Sequence, residues 1–558
     1  MEERRLLVAL ALSILVMTAW SHFFGAKGLP PRPAPAAASP TASASAAPAA
    51  PEATPTPTAA SGAKTLPAVV PSVAAEVEGR VEALTQTATL AFTNRGASLL
   101  SWQLSRYPDA RGRGEEMVRS GRNAVRPLDL ETGDPEVDAR LREALFQPSA
   151  ETVTVPRGGE AELTFTWASG GLEAQKNLRF LQGGELVEVK AVVTRDGRPL
   201  RVKLLFGPGL GTAGKDEKGV TGYVAPEGIV LGGSGVERVP PAKLTETRSF
   251  SGVRWIGLES RYFAALFVPG GRGSAEIRPV SVPEEDGKTE TTALVAVDVD
   301  TAPALLFVGA KDYHALRGLG HSLEEVVDIG SWIGPIVKPL LSMLPRAYRL
   351  LGNYGWSILA LTVLINLMMA PLRHYGIANG IRMAKVAPEI RAIQERYRKV
   401  PLLERQAMND EVAKVYANHG MNMGTQMTVG CLPMLLTMPF LFAIYRVLQV
   451  SIELKGASFL WIPDLSHPDP IYLTPLLMGV SMLLMQKLTP AGTMDPAQQK
   501  MMMIMPVMFT VMFVAAPAGL NLYWLASNVC SIIQQGLTKR LLKGGEASTA
   551  PPREKKKK

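Results

Sequence analysis

Polar side chains stand at wide intervals inside otherwise apolar runs in the last third of the chain: Thr362, Asn366, Gln426, Thr437, Arg446, Gln449, Asn521, Asn528 and Gln534. Amides, hydroxyls and a guanidinium exchange hydrogen bonds, but they make no nucleophile–base pair. The runs contain no His-Glu-x-x-His, no Gly-x-Ser-x-Gly and no acidic pair, so proteolysis has no residues to work with. They contain no Asp or Glu at all, which removes the usual means of coupling transport to an ion. His314 and His321 have no metal-ligand companions, and no metal or cofactor is expected. What remains is solvation: hydrogen-bonding groups placed where a polar segment would otherwise meet only hydrocarbon.

The elements that must position these groups are five apolar spans, Trp356–Leu372, Met427–Val450, Ile471–Gln486, Met501–Ala516 and Gly519–Ile533. Runs of this kind are transmembrane candidates, because a helix satisfies its own backbone in lipid. Asn366 stands ten residues into its span, about 15 Å deep and so near the midplane. A polar group there faces a partner helix or a wet cavity. Met501–Ala516 reaches only about 24 Å, less than a ~30 Å hydrocarbon core, and short spans thin the bilayer or draw in water. Of 23 methionines, 19 follow Asn366; such side chains suit either plain lipid-facing packing or surfaces that accept varied apolar partners.

Between the first two spans, residues 376–420 predict a hairpin of two amphipathic helices. Met383, Val386, Ile390, Ile393 and Tyr397 step by three and four, as do Met408, Val412 and Val415 beyond Val400-Pro401. Its basic residues include Arg382, Lys385, Arg391, Arg396, Arg398 and Lys399, suited to RNA or anionic headgroups or simply to solvent. With Arg373, Arg405 and Lys414, residues 373–419 carry nine cations, whereas residues 451–470 carry only Lys455 against Glu453, Asp464 and Asp469. The positive-inside rule therefore puts the hairpin and the basic tail, 541–558, in the cytoplasm, and the 451–470 loop outside.

Upstream, the 558-residue chain changes character four times, which its net charge of +9, 43 prolines and 47% hydrophobic content already imply. Residues 1–27 read as a retained transmembrane anchor, with a cleaved signal peptide as the alternative, from a charged start and an uncharged run from Leu6 to Phe24. Residues 28–75 are a Pro/Ala-rich linker expected to be disordered. Period-two alternation in 163–167, 186–193 and 201–206 predicts an antiparallel β-sandwich over 76–326, outside the membrane. Residues 327–351 predict an amphipathic helix on the outer membrane face, with packing on the β domain as the alternative. The sum is six crossings with both termini cytoplasmic. Cys431 and Cys530 lie inside spans and read as free thiols.

Across residues 352–540 the order of motifs resembles the core of the YidC/Oxa/Alb membrane protein insertases. The resemblance rests on Gly352-Asn-Tyr-Gly-Trp-Ser357, Pro371-Leu372, Cys431-Leu-Pro433, Met438-Pro-Phe440, Trp461-Ile-Pro-Asp-Leu465, Asp495-Pro-Ala-Gln-Gln-Lys500 and Gly519-Leu-Asn-Leu-Tyr523. The whole layout is similar to the YidC branch of Gram-negative bacteria. It implies a polytopic α-helical inner-membrane protein with a periplasmic β-sandwich, not an enzyme, that inserts nascent membrane proteins alone or beside the Sec translocon. A hydrophilic groove open to the cytoplasm is implied, lined here by Thr362, Asn366, Thr437, Arg446, Tyr523 and Trp524. The hairpin is expected to recruit substrate, the tail to touch the ribosome, and lipids to contact the core. An assembly scaffold acting only on inserted clients is the alternative. Three departures stand out: the family usually has a groove arginine or lysine where this chain has Asn366, many relatives have glutamine at Thr437, and Asn422–Cys431 is about one turn longer. Arg446, in the facing span, is a candidate to supply the missing charge, with a snorkelling arginine near the outer end as the competing reading, and a cation restored at 366 is expected to be tolerated.

Overall fold

Alternation of period two becomes sheet, and the aperiodic apolar runs become helix. The computed structural model describes residues 72–109, 112–119, 125–211, 218–219, 222–223, 225–271, 274–283, 289–299, 302–397, 405–420, 438–489 and 496–548. The anchor, all but the last four residues of the linker, Arg398, Lys399, Cys431, Thr437 and the end of the tail lie outside them.

The largest sheet is built round the meander Ala161–Ser169, Leu172–Leu181 and Leu186–Arg195, in which buried and more open residues broadly alternate. Its first turn is the two-residue Gly170-Gly171, with φ of 57° and 77°. Such a left-handed pair matches the twist of the strands it joins, and glycine adopts it without strain. Two five-stranded sheets share a core with this one: Leu90 and Phe92 from the first, Ile277 and Val295 from the second, Phe165 and Phe180 from the large sheet. The expected strand at 201–206 is Lys203–Phe206, an interior strand of the second small sheet.

Nine α-helices occur among the described residues: α1 (Pro135–Glu143), α2 (Tyr313–Leu319), α3 (Gly334–Leu351), α4 (Tyr354–Arg396), α5 (Arg405–Asn418), α6 (Met438–Val450), α7 (Leu473–Leu488), α8 (Pro496–Phe513) and α9 (Ala518–Ser548). Of these, α4 alone is long and apolar enough to cross a membrane by length and composition, while α6, α7 and Met502–Phe513 are shorter apolar helices. At 43 residues α4 is about 64 Å long, so the first span and the first arm of the basic insert are one continuous helix. Asn353 caps its start, accepting from the Gly355 amide at 2.8 Å.

The expected amphipathic helix is α3. Its Val337, Leu340, Leu341 and Leu344 are buried in a cluster that also contains Leu266 of the β domain, Ile358 of α4 and Val447 of α6. The apolar face of α3 is thus covered by protein, and Lys338, Arg346 and Arg349 stay exposed. The 451–470 loop is docked as well: Ile452 enters the β-domain core, and Lys455 pairs with Glu115 at 2.9 Å.

Candidate functional site

Helix α4 presents Thr362, Asn366, Ala370, Arg373 and His374 along one side, a stripe at helical spacing. Helix α9 answers with Ser527, Ser531, Gln534 and Thr538. Asn366, only 6% exposed, donates from Nδ2 to its own helix at Thr362 O, 2.8 Å away, and to Ser527 Oγ at 3.5 Å. Its Oδ1 accepts a hydrogen bond from Arg373 Nη1. The same Nη1 donates to Ser531 Oγ at 2.9 Å. One and two turns further on, Gln534 Nε2 donates to Ala370 O at 2.6 Å, and His374 Nδ1 lies 3.0 Å from Thr538 Oγ1. Thr362, fully buried, spends its hydroxyl on Ile358 O.

The stripe is the inverse of a soluble core. Next to buried Asn366, Leu367 and Met368 are 64% and 54% exposed. On α8, Ile504, Met508 and Val511 are likewise exposed. Polar groups inside and apolar groups outside are stable only where the surroundings are apolar.

A second face of α9 fixes it to its neighbours at a seven-residue interval. Asn521 Nδ2 donates to Phe513 O at 3.1 Å, Asn528 Nδ2 to Ser481 Oγ at 2.9 Å, and Gln535 Nε2 to Thr489 Oγ1 at 2.9 Å. Helices α7 and α8 approach closely at Gly479, where a Cβ would come within 2.0 Å of Thr510 Oγ1. Tyr523 is buried, and Trp524 meets Phe513 edge-on at 5.1 Å.

The structure does not bring Arg446 to this stripe. Its guanidinium pairs with Asp328, just upstream of α3, and donates to Gln449 Oε1 at 2.7 Å. It borders a cavity of about 270 Å³ shared with the β domain, where Glu259 accepts from Arg238 at 2.6 Å and Lys311 at 2.8 Å. The cation that does reach Asn366 is Arg373, which in the sequence reads only as one of the cytoplasmic charges. The signal that finds it is the interval of seven, which returns a helix to the same face, together with the lean of helical side chains toward the N-terminus.

In the basic insert, Arg382, Lys385, Arg391 and Arg396 are exposed, while Val386, Ile390, Ile393 and Val412 are buried. Arg396 pairs with Glu411 at 3.3 Å, and Tyr397 donates to the same carboxylate at 3.0 Å. His419 lies 3.7 Å from Glu389.

Known proteins are similar to this chain in sequence. Residues 346–545 match the family described as "60Kd inner membrane protein", and residues 80–343 match the "YidC periplasmic domain". The chain is 33% identical over 572 residues to the membrane protein insertase YidC of Geobacter metallireducens, covering 98% of this chain and 100% of that one. It is 30% identical to the insertase YidC of Campylobacter jejuni over 78% of each chain. A solved structure titled "Active YidC insertase crystal structure with the first transmembrane domain resolved" is similar at 19% identity and a TM-score of 0.36, covering 84% of this chain and 95% of that one.

Proposed function

The chain belongs to the YidC family of membrane protein insertases, and we propose that its polar α4–α9 seam is the place where it handles the hydrophilic segments of nascent membrane proteins. It is an inner-membrane protein with a periplasmic β-sandwich domain. The observation that carries the reading is the pairing of Asn366, Arg373 and His374 with Ser527, Ser531 and Thr538 between helices whose other faces are apolar and open.

Mechanically, a polar segment in hydrocarbon lacks hydrogen-bond partners, and each unsatisfied group costs several kcal/mol. The seam supplies replacements that are already oriented. The exposed apolar face of α8 offers the substrate's span a surface along which to leave for lipid. No bond is made or broken, so the free energy comes from the apolar span reaching the bilayer. Burial of Tyr523 supports a structural role for it, and Trp524 packs at the α8 edge of the same region.

The charge pattern supports six crossings with both termini cytoplasmic, the basic insert recruiting substrate and the tail near the ribosome. Cooperation with the Sec translocon and contact with anionic lipids belong to the same proposal. An assembly scaffold acting only on inserted clients is not favoured by relatives that are named insertases. The deciding experiment is reconstitution: purified protein in translocon-free liposomes is expected to insert a small phage-coat-like substrate, scored by protease protection. Insertion no greater than in empty liposomes would overturn the reading.

A further inference from the structure

We propose that the arginine-lined cavity where α3, the start of α4 and the β domain meet binds the phosphodiester headgroup of an anionic phospholipid, of the phosphatidylglycerol type, from the outer leaflet. The inference goes beyond the insertase reading and takes from it only which leaflet the cavity faces.

The cavity has a volume of about 640 Å³ and is bordered by Arg106 of the strand Ser98–Pro108, by Arg346 and Arg349 of α3 and by Tyr354 at the start of α4. A spacing of three puts Arg346 and Arg349 on one side of α3, and Arg106 reaches the same space from the β domain. Arg346 Nη1 donates to Ser342 Oγ at 3.1 Å, a neutral partner one turn back. Among the described residues no carboxylate pairs with any of these three guanidinium groups. The two acids at the cavity wall do not cancel them. Asp312 Oδ1 is turned to the start of α2, accepting from the His314 and Ala315 amides at 2.8 and 3.1 Å. Burial pushes the Glu453 carboxyl up to about 7, so near neutral pH it carries only part of a charge.

The placement breaks a rule that the rest of the chain keeps. Lys and Arg are scarce on the outer flank of a span, and the 451–470 loop has only Lys455, which Glu115 neutralises. Arg346 and Arg349 stand on that flank, just ahead of α4, with no such partner. Their frame is fixed: Tyr348 stacks on Tyr354 with ring centres 4.1 Å apart, and Gly352, with φ of 67°, closes α3 between them. Three held cations on one cavity suit an anion supplied from outside the chain, and a guanidinium takes phosphate oxygens bidentately. The surroundings identify which anion. Leu350 is 87% exposed, and Leu351 and Trp356 are open beside it, with Val363, Leu364 and Leu367 further along α4. A free phosphate would leave these groups bare, whereas a phospholipid covers them with its chains while its headgroup fills the cavity.

The test reconstitutes the full-length protein in phosphatidylcholine liposomes containing a trace of phosphatidylglycerol with a diazirine near its headgroup, and maps the cross-links made on illumination. Cross-links are expected within residues 346–356, competed by unlabelled phosphatidylglycerol but not by glycerol phosphate. Arg346→Gln with Arg349→Gln should lower their yield about 25-fold, at about fivefold per cation, and leave those of a diazirine phosphatidylcholine unchanged. Arg106→Gln, on a different element, should lower the yield about fivefold, which keeps the test open if the double variant does not fold. Unchanged yield in the folded variants, or equal loss for both lipids, overturns the proposal. Competition by glycerol phosphate overturns the lipid as the source of the anion. No substrate is present, so a failure of insertion would overturn the insertase reading and leave the cross-links standing.

Discussion

Two cations, Arg373 and Lys176, show how differently a charge can be used in this chain. Among the described residues Arg373 meets two neutral oxygens through Nη1, whereas Lys176 in the β domain spends its ammonium on three carbonyls. Its ammonium, fully buried, donates to Gly96 O at 3.2 Å, Ala97 O at 2.8 Å and Leu128 O at 2.6 Å. Those carbonyls sit beside Ala97 and Leu128, both with positive φ, so the amine holds two strained turns against the central strand Leu172–Leu181. Lys176→Met would fill the same space and leave three buried carbonyls without this donor. The expected loss is about 3–5 kcal/mol, or roughly 10 °C in the unfolding temperature of the purified protein. A change of under two degrees in a thermal scan would show that water replaces the ammonium. Neither role was legible in the sequence: alternation puts Lys176 on the same face as Leu172, Ala174, Leu178 and Phe180 but names no partner for its ammonium, and Arg373 reads as one more cytoplasmic positive charge. Both depend on which backbone atoms other elements bring within reach.

At the scale of elements, α9 is the spine. One side of it, from Ser527 to Thr538, faces α4; the other, through Asn521, Asn528 and Gln535, is tied to α7 and α8. Asn521, Asn528 and Gln534 stand out in the sequence because amides are conspicuous in an apolar run. Ser527, Ser531 and Thr538 do not, since small hydroxyls commonly bond their own helix, as Ser531 does to Ser527 O. The 451–470 loop is the other unexpected element, since its docking on the β domain through Ile452 and Lys455 left no periodic mark. Beside them, burial first, with Asp312 nearby, pushes the Glu453 carboxyl up from 4.5 to about 7. A raised folded-state value means that the protonated form is favoured by folding. That contribution is fully present below about pH 4.5 and is lost as pH rises through 7. Unfolding of the unaltered protein should thus show a downward stability component between pH 5 and about 8, and Glu453→Gln should flatten it and be the more stable variant at pH 8. Parallel pH profiles for the two proteins would mean that Glu453 is solvated in the folded state.

Taken as a whole molecule, the chain was most legible where one rule acts along its length. Alternation located the strands at 163–167, 186–193 and 201–206 to within about three residues, and hydropathy located α4, α7 and α8. Less legible was where one rule hands over to another: α4 runs on past Leu372 into the basic insert without a break, because a helix that has left lipid needs no new start signal. Length carries a consequence of its own. Helix α7 has 16 residues, about 24 Å, and the apolar part of α8, Met502–Phe513, is shorter still at about 18 Å, against a hydrocarbon core of ~30 Å. Surrounding lipid must thin by ~6 Å or more at these helices, at a cost of fractions of a kcal/mol per Å, about 2 kcal/mol in all. Local thinning shortens the distance that a polar substrate segment travels without water, so the mismatch assists insertion only while the bilayer yields. Thicker membranes raise both the cost of deformation and the residual barrier. Liposomes of otherwise matched lipids should therefore insert a given substrate fastest with short acyl chains and several-fold more slowly as chains lengthen. A substrate with a correspondingly longer span separates this effect from mismatch of the substrate itself. If rates hold constant across the series, or rise with thickness, the short helices are not thinning the bilayer, and the polar seam between α4 and α9 must lower the barrier without their help.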